Sequence, residues 1–413
     1  MIPSTWCIPL CAGNDKGCNP LSGPSCRGYN PKDMSEDTAL KAIDLYFSLL
    51  KEGKAYNPYR EPSIAFYGGE PLLNFELIKT CINYIMKTYG DDFNPYFVMT
   101  TNSTLLSEEI VSFLNEHNCE IVLSIDGPRE EHDRNRVFPG GKGSFDIVME
   151  NTKFLAGSNL KTYCQSVYDL KTDIDKVHEF FNREDVPLLS GADLASNKIP
   201  NTYYDKFSAR DRKIYEERLA KMVTYQIEKV RKEKETEKGR GKKRKGKGNE
   251  KDKVSLYDLN LMNLAISVLN RHTGKYKDPY IPFTGSGIPG FKLFVDAFGS
   301  LRICERTFGD VSVIGDVESG LDYEKILSIL QSLRSETAAC ESCVAKNMCS
   351  VCYVTFASGP AITRDPAVCE DVQMRLEGRL SHLWSIAEIS EDAVIELAEE
   401  YYTLFEDIGK ELV

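Results

Sequence analysis

Short apolar runs alternate with amphipathic stretches through the first part of the chain. Ser63–Tyr67 (Ser-Ile-Ala-Phe-Tyr), Phe97–Thr101, Glu120–Ile125 and Thr162–Val167 have the length and composition of buried strands. Between them the apolar period changes to that of a helix. Leu40, Ile43, Phe47 and Leu50 form one stripe behind Ser35, an N-cap residue; Asn74-Phe75-Glu76-Leu77-Ile78 opens a second helix, and a third starts near Ser107. The first three strands end in polar or glycine-rich turns: Phe66-Tyr67-Gly68-Gly69-Glu70-Pro71, Asn102-Ser103-Thr104 and Asp126-Gly127-Pro128. Repetition of strand, polar end and helix predicts a parallel β/α barrel, which carries its site at the C-terminal ends of its strands.

Further along, Leu219, Met222, Val223, Ile227 and Val230 make a helical stripe that dissolves into a run from Arg231 to Lys253 with no apolar residue. Such a run predicts disorder. Its basic charge suits an acidic peptide or nucleic acid, but no aromatic residue is present to stack on bases, which favours a solvated insertion. A helix resumes over Leu256–Leu269. Phe291–Asp296 and Ser300–Cys304 alternate as a hairpin around Ala297-Phe298-Gly299. Val394, Leu397, Ala398, Tyr401, Leu404 and Phe405 share one face of a last helix, for packing or a dimer contact.

A net charge of -11 over 413 residues argues against nucleic acid as the partner of the bulk. No apolar run reaches bilayer-spanning length, and Met1 leads to Pro3 and Cys7 without a signal segment, so a cytoplasmic protein is expected. The 13 cysteines change the picture most: Cys7, Cys11, Cys18 and Cys26 crowd the start, and Cys340, Cys343, Cys349, Cys352 and Cys369 crowd a later stretch. Clustering of this kind points to metal or iron-sulfur ligation. Three thiolates on a cubane cluster leave one iron open; a zinc loop would use four ligands and close the site. Cys81, Cys119 and Cys164 read as small buried hydrophobes. At Gly68-Gly69, two glycines allow close backbone approach to a ligand, or simply a tight turn.

Gly68-Gly69-Glu70-Pro71, Thr101-Asn102-Ser103, Ser124-Ile125-Asp126-Gly127-Pro128, His132-Asp133-Arg134-Asn135-Arg136 and Gly143-Ser144-Phe145 come in an order and spacing that resemble the radical S-adenosylmethionine enzymes. More narrowly the chain resembles the branch with a cysteine-rich SPASM domain, which holds anaerobic sulfatase maturases and maturases of ribosomally made peptides. The resemblance covers most of residues 1 to 180 and 285 to 375. It implies an α/β fold, a partial (β/α)6 TIM-like barrel followed by a small SPASM domain with a β-hairpin and helices. The expected division is 1–199 for the barrel, 200–284 for a helical bridge with the disordered insertion 231–253, 285–375 for the SPASM domain and 376–413 for C-terminal helices.

The same resemblance implies a site. The backbone of Gly68, Gly69, Glu70 and Pro71 would hold the amino group of S-adenosylmethionine, and Ser124 and Arg136 its carboxylate, with Asn102 and Asp126 beside them. The other reading of Arg136 is a surface arginine balancing Glu130, Glu131 and Asp133. A 4Fe-4S cluster would sit on Cys7, Cys11 and Cys18; the family's third cysteine falls at Asn14 here, and Cys26 is a second candidate. Cys340, Cys343, Cys349 and Cys369 would hold one auxiliary cluster, and Cys304 and Cys352 would belong to another, with Gly287 standing where related maturases carry a cysteine. Zinc is the alternative metal.

The implied activity is hydrogen abstraction from a carbon of a peptide or protein substrate, forming a thioether or another crosslink, with electrons from a flavodoxin or ferredoxin. Formylglycine formation on a sulfatase is the second product class, and no leader-binding segment is expected ahead of Met1. A non-catalytic partner subunit descended from such an enzyme is the reading from a different class.

Overall fold

The computed structural model describes residues 5–9, 33–183, 185–194, 207–240, 255–271, 292–305, 310–349, 351, 356 and 361–404. The first half runs β1 (Thr5–Pro9), α1 (Glu36–Gly53), β2 (Ser63–Tyr67), α2 (Phe75–Tyr89), β3 (Tyr96–Thr101), α3 (Glu108–Glu116), β4 (Glu120–Ser124), α4 (Arg129–His132), α5 (Phe145–Ala156), β5 (Thr162–Tyr168), α6 (Ile174–Phe181) and β6 (Leu188–Leu194). The helices start where local chemistry says they should. Ser35, Ser107 and Asp173 each accept a backbone N–H of the following turn, from Thr38, Ile110 and Lys176.

β1 to β6 lie side by side in chain order, every pair parallel. Right-handed crossovers between sequential parallel strands place all connecting helices on one face, which is the arrangement of a β/α barrel. Burial follows. Ile64, Phe66, Phe97, Met99, Ile121, Leu123 and Cys164 are buried in one core with Ala39, Ile43, Phe47, Ile78, Ile82 and Leu114 of the helices. The alternate residues Ala65, Val98, Thr100, Val122, Ser124, Tyr163 and Gln165 are half-buried and line the inner face. The partial barrel expected from the sequence is therefore present. Cys81, Cys119 and Cys164 are buried as small hydrophobes, and burial pushes the thiols of Cys81 and Cys119 up to about 12.

The second half adds α7 (Ala209–Arg240), α8 (Leu256–Leu269), β7 (Lys292–Val295), β8 (Ser300–Arg302), β9 (Val313–Asp316), β10 (Gly320–Leu321), α9 (Tyr323–Glu336), α10 (Pro366–Ala387) and α11 (Glu391–Leu404). β7 and β8 form the expected hairpin, turned at Gly299 with φ +85° and held by Asp296, which accepts the N–H groups of Phe298 and Ser300. β7 also pairs in parallel with the free edge of β1, so β7 to β10 continue the barrel strands into a ten-stranded sheet.

Two expectations need correction. The stretch 231–240, read as disordered, is helical, because α7 runs on to Arg240; residues 241–253 lie outside the described residues. Lys, Arg and Glu are good helix formers, and the end of the apolar stripe does not end the helix when one buried anchor holds it. That anchor is Val230, followed by the Lys234–Glu396 ion pair at 2.6 Å. The division at residue 375/376 also falls inside α10. α7, α8, α10 and α11 share a second core of Val230, Leu261, Leu264, Ala265, Leu383, Ile386, Ala393 and Val394, so the bridge and the C-terminal helices form one unit. The last helix packs within the chain.

Ile386 is fully buried in this second core. Ile386→Ala is expected to destabilise the helical unit by about 2–4 kcal/mol. Hydrogen exchange should show protection lost in α8 and α11 and kept in β2 to β5; equal loss in both would mean that the two cores unfold as one.

Candidate functional site

At the end of β2 the chain turns through half-buried Gly68 and exposed Gly69 to Glu70, which is buried. The Glu70 carboxylate accepts from the Leu72 N–H at 3.1 Å, the Thr101 hydroxyl at 2.6 Å and the Asn102 N–H at 2.7 Å. It thereby ties the end of β2 to that of β3. Burial raises its pKa, opposed by those three hydrogen bonds and by the charge of Arg136. Pro71 starts a 3₁₀ turn over Pro71–Asn74. Beyond β3, the Asn102 side chain accepts from the Thr104 N–H and hydroxyl, and Ser103 adopts φ +58° with its hydroxyl buried and unpartnered.

The end of β4 is built the same way. Asp126 is buried, and its carboxylate takes a two-pronged bond from Arg136, Nε at 2.6 Å and Nη2 at 2.9 Å, as well as the Val167 N–H of β5 at 2.9 Å. The partner of Arg136 is thus Asp126, and the reading in which it balances Glu130, Glu131 or Asp133 at the surface is not what the structure shows. Residues around Arg136 complete a knot. Arg134 bonds Glu131, Asp169 and Thr172; Asn135 bonds Asp169; Asp133 accepts the Phe145 N–H. A Cβ on Gly143 would stand 2.1 Å from the Asp133 carboxyl, which explains glycine there. His132 is buried between the Asp126 N–H at 3.4 Å and the Ser144 hydroxyl at 3.0 Å, and burial, aided by Arg136, lowers its pKa to about 4.

Ser124 sits on the inner face in register with Gln165, which in turn pairs with Gly191. The Gln165 amide lies over the space left by that glycine, 4.0 Å from where a Cβ would be. Gln165 and Thr100 line the same face and were not picked out from the sequence. Their signal was available: each stands two residues along a strand from an inward-facing neighbour.

Of the sulfur positions, Cys7 lies in β1, paired with Ala65 of β2 and Phe294 of β7. Cys11, Asn14, Cys18, Cys26, Gly287 and Cys352 lie outside the described residues. Cys304 is buried just past β8, its sulfur 3.2 Å from the Glu305 carboxylate. Cys340, Cys343, Cys349 and Cys369 come together and line one cavity with Phe356 and Val372. Arg364 and Gln373 point N–H groups at the sulfurs of Cys369 and Cys343, at 3.6 and 3.5 Å. Burial raises the Cys340 thiol, and the three neighbouring thiols raise it further. Among the described residues, no three His, Cys, Asp or Glu side chains gather closely enough to hold a single metal ion.

Comparison with known proteins places this geometry. Residues 34–182 match the Radical SAM superfamily, and this part of the chain is a Radical SAM domain. The cysteine-type anaerobic sulfatase-maturating enzyme of Clostridium novyi (strain NT) is 32% identical over 130 residues, which are 31% of this chain and 35% of that enzyme. The chain therefore aligns with about a third of that relative's length. Among solved structures, anSMEcpe with bound AdoMet and Cp18Cys peptide superposes with a TM-score of 0.65 at 17% identity, covering 96% of this chain and 99% of that one. Streptococcus suis SuiB bound to precursor peptide SuiA superposes with a TM-score of 0.54 at 16% identity, over 88% of this chain and 75% of that one. Both show a shared fold. No described helix is long and apolar enough to cross a membrane.

Glu70→Gln puts an amide N–H against the Asn102 N–H or the Thr101 and Leu72 donors. It is expected to cost about 1–3 kcal/mol in denaturant unfolding; an unchanged midpoint would show that the clasp is not structural. His132, neutral in the fold at about 4, takes up its proton more readily once unfolded. Its contribution to stability is complete above the ordinary histidine pKa and is lost as pH falls towards 4. Between pH 7 and 5 this amounts to about 2 kcal/mol, which His132→Phe should remove from the slope of stability against pH.

Proposed function

We propose that the protein is a radical S-adenosylmethionine maturase that abstracts hydrogen from a side-chain or backbone carbon of a ribosomal peptide or protein. The observation that carries this reading is the rim built from the ends of β2, β3 and β4. The glycine turn at Gly68-Gly69 leads into Glu70, which feels the charge of Arg136, and that guanidinium is already oriented by Asp126 through two of its nitrogens. The third, Nη1, makes no hydrogen bond among the described groups and is available to a carboxylate, as is the Ser124 hydroxyl. These donors suit the methionyl end of the cofactor, so the residues present fit it.

When bound with its 4Fe-4S cluster, the cofactor supplies a radical able to take hydrogen from an unactivated carbon. The chain's own part is to bind and orient. Glu70 holds the glycine turn against β3, Arg136 and Ser124 receive the carboxylate, and Thr100, Tyr163 and Gln165 present an inner face to cofactor or substrate. Cys7, Cys11 and Cys18 would ligate the cluster.

The four thiols around one cavity support an iron-sulfur cluster in a SPASM-type domain. Four thiolates on one cavity can take a cluster or zinc, and the likeness to SPASM-type enzymes favours the cluster. Cys304 and Cys352 would serve a second auxiliary site. A flavodoxin or ferredoxin would deliver electrons, in the cytoplasm. A peptide substrate is supported by SuiB and anSMEcpe, whose structures hold peptides, and thioether or crosslink formation is the product class proposed. Likeness to the sulfatase-maturating enzyme of Clostridium novyi favours formylglycine formation as a second reading.

Anaerobically reconstituted protein is expected to carry iron and sulfide at the N-terminal site and to yield 5′-deoxyadenosine with dithionite and S-adenosylmethionine. Cys7→Ala should abolish the nucleoside while retaining iron on the C-terminal cysteines, and Arg136→Lys should raise the KM for the cofactor roughly tenfold or more. Wild-type protein that gives no nucleoside, with iron only at the C-terminal cysteines, would instead identify a non-catalytic partner subunit.

A further inference from the structure

The His132 side chain has no assigned part in holding the cofactor, yet it links the two residues of the Asp126–Arg136 pair a second time. The Asp126 N–H faces the Nδ1 of His132 at 3.4 Å; His132 Nε2 is 3.0 Å from the Ser144 hydroxyl; that hydroxyl is 3.0 Å from the Arg136 carbonyl oxygen. The two ends fix the direction of every proton between them. A backbone N–H only donates and a carbonyl only accepts, so Nδ1 is the acceptor, Nε2 carries the hydrogen, and Ser144 donates to Arg136. One neutral tautomer satisfies the chain. An imidazolium would set an Nδ1–H against the Asp126 N–H.

We propose that His132 is a positioning residue for S-adenosylmethionine: with Ser144 it sets the separation of the Asp126 and Arg136 backbones, and thereby the place at which the Arg136 guanidinium meets the methionyl carboxylate. This rests on the cofactor reading above and deepens it. The side-chain fork alone fixes the guanidinium relative to Asp126. Without the imidazole, the backbone carrying Arg136 would keep the Arg136 N–H on the His132 carbonyl, the Ser144 N–H on the Arg136 carbonyl, and the bonds of Arg134 and Asn135 to Asp169 beyond β5, none of which reaches β4. The ring is fully buried, and Phe145 meets it edge-on with centroids 5.9 Å apart, which leaves it no alternative orientation through solvent. Low basicity of His132 agrees with the neutral form that the hydrogen-bond chain requires.

The test is a double-mutant cycle on full-length, anaerobically reconstituted protein, reading S-adenosylmethionine affinity by equilibrium dialysis and the change in the reduced cluster's paramagnetic resonance spectrum as the cofactor is added. His132→Phe and Ser144→Ala are each expected to weaken binding roughly tenfold. Because both cut one chain, the double variant should weaken it little more than either alone, rather than about a hundredfold. Ser144→Thr, which keeps the hydroxyl, should bind as wild type. Turnover at saturating cofactor and iron content should hold in all four, a KM effect without a kcat effect. Multiplying effects, affinities within about twofold of wild type, or a loss confined to kcat would overturn the proposal. If His132→Phe does not fold, Ser144→Ala against Ser144→Thr decides. Wild-type protein that fails to bind S-adenosylmethionine would remove the cofactor reading itself, whereas wild-type binding with unaffected variants would remove only the role of His132.

Discussion

A carboxylate withdrawn from water has to be met by donors, and this requirement shapes the rim of the barrel. Glu70, Asp126 and Asp169 stand just past the C-terminal ends of β2, β4 and β5, and each is at most 3% exposed. Each is satisfied by groups from a neighbouring strand or loop: Glu70 from Thr101 and Asn102 at the end of β3, Asp126 from Val167 of β5, Asp169 from Arg134 and Asn135 after β4. Parallel strands have no hairpin to hold their ends in register. Here buried charge supplies that restraint, at sites where removing one partner would leave the other stranded.

The rim is also tied to the helical unit. Arg218 of α7 donates to the carbonyls of Lys171 and Thr172 and to the carboxylate of Asp173, directly beside the Asp169 turn. Lys229 pairs with Asp258, and Tyr257 hydrogen-bonds Asp175, so α6, α7 and α8 meet through polar contacts as well as apolar ones. The bridge that follows the barrel thus braces the loop after β5. On the other side, β7 continues the sheet from β1, the strand that bears Cys7. The two additions hold opposite ends of the same barrel.

Much of this was legible in the sequence because it depends on local rules. Short apolar runs, the cap at Ser35 and the helix start near Ser107 gave β2 to β5 and α1 to α3, and Leu256–Leu269 was found with its boundaries as they stand. What escaped depended on partners far along the chain. α7 continues past its apolar stripe from the anchor at Val230, whose core partners, like Glu396 opposite Lys234, lie in no window around those residues. The motif 132–136 was visible as a charge-rich run, but the run alone could not say that Arg136 turns inward to Asp126 while Arg134 reaches Asp169. Gln165 and Thr100 were passed over although the two-residue spacing along their strands put them on the inner face, because that spacing does not say which inward residue lies near a ligand. The C-terminal thiols were the converse case: their crowding marked a metal site, and the family resemblance grouped Cys340, Cys343, Cys349 and Cys369, which the fold brings around one cavity.

The most direct measurement is a crystal structure of the anaerobically reconstituted protein with S-adenosylmethionine. The expected result is the methionyl carboxylate on the free nitrogen of Arg136 and on Ser124, with the two-pronged bond to Asp126 intact and the amino group at the Gly68-Gly69 turn. A cofactor bound elsewhere, or an Arg136 that has left Asp126 to reach it, would contradict a rim preset by its own buried charges.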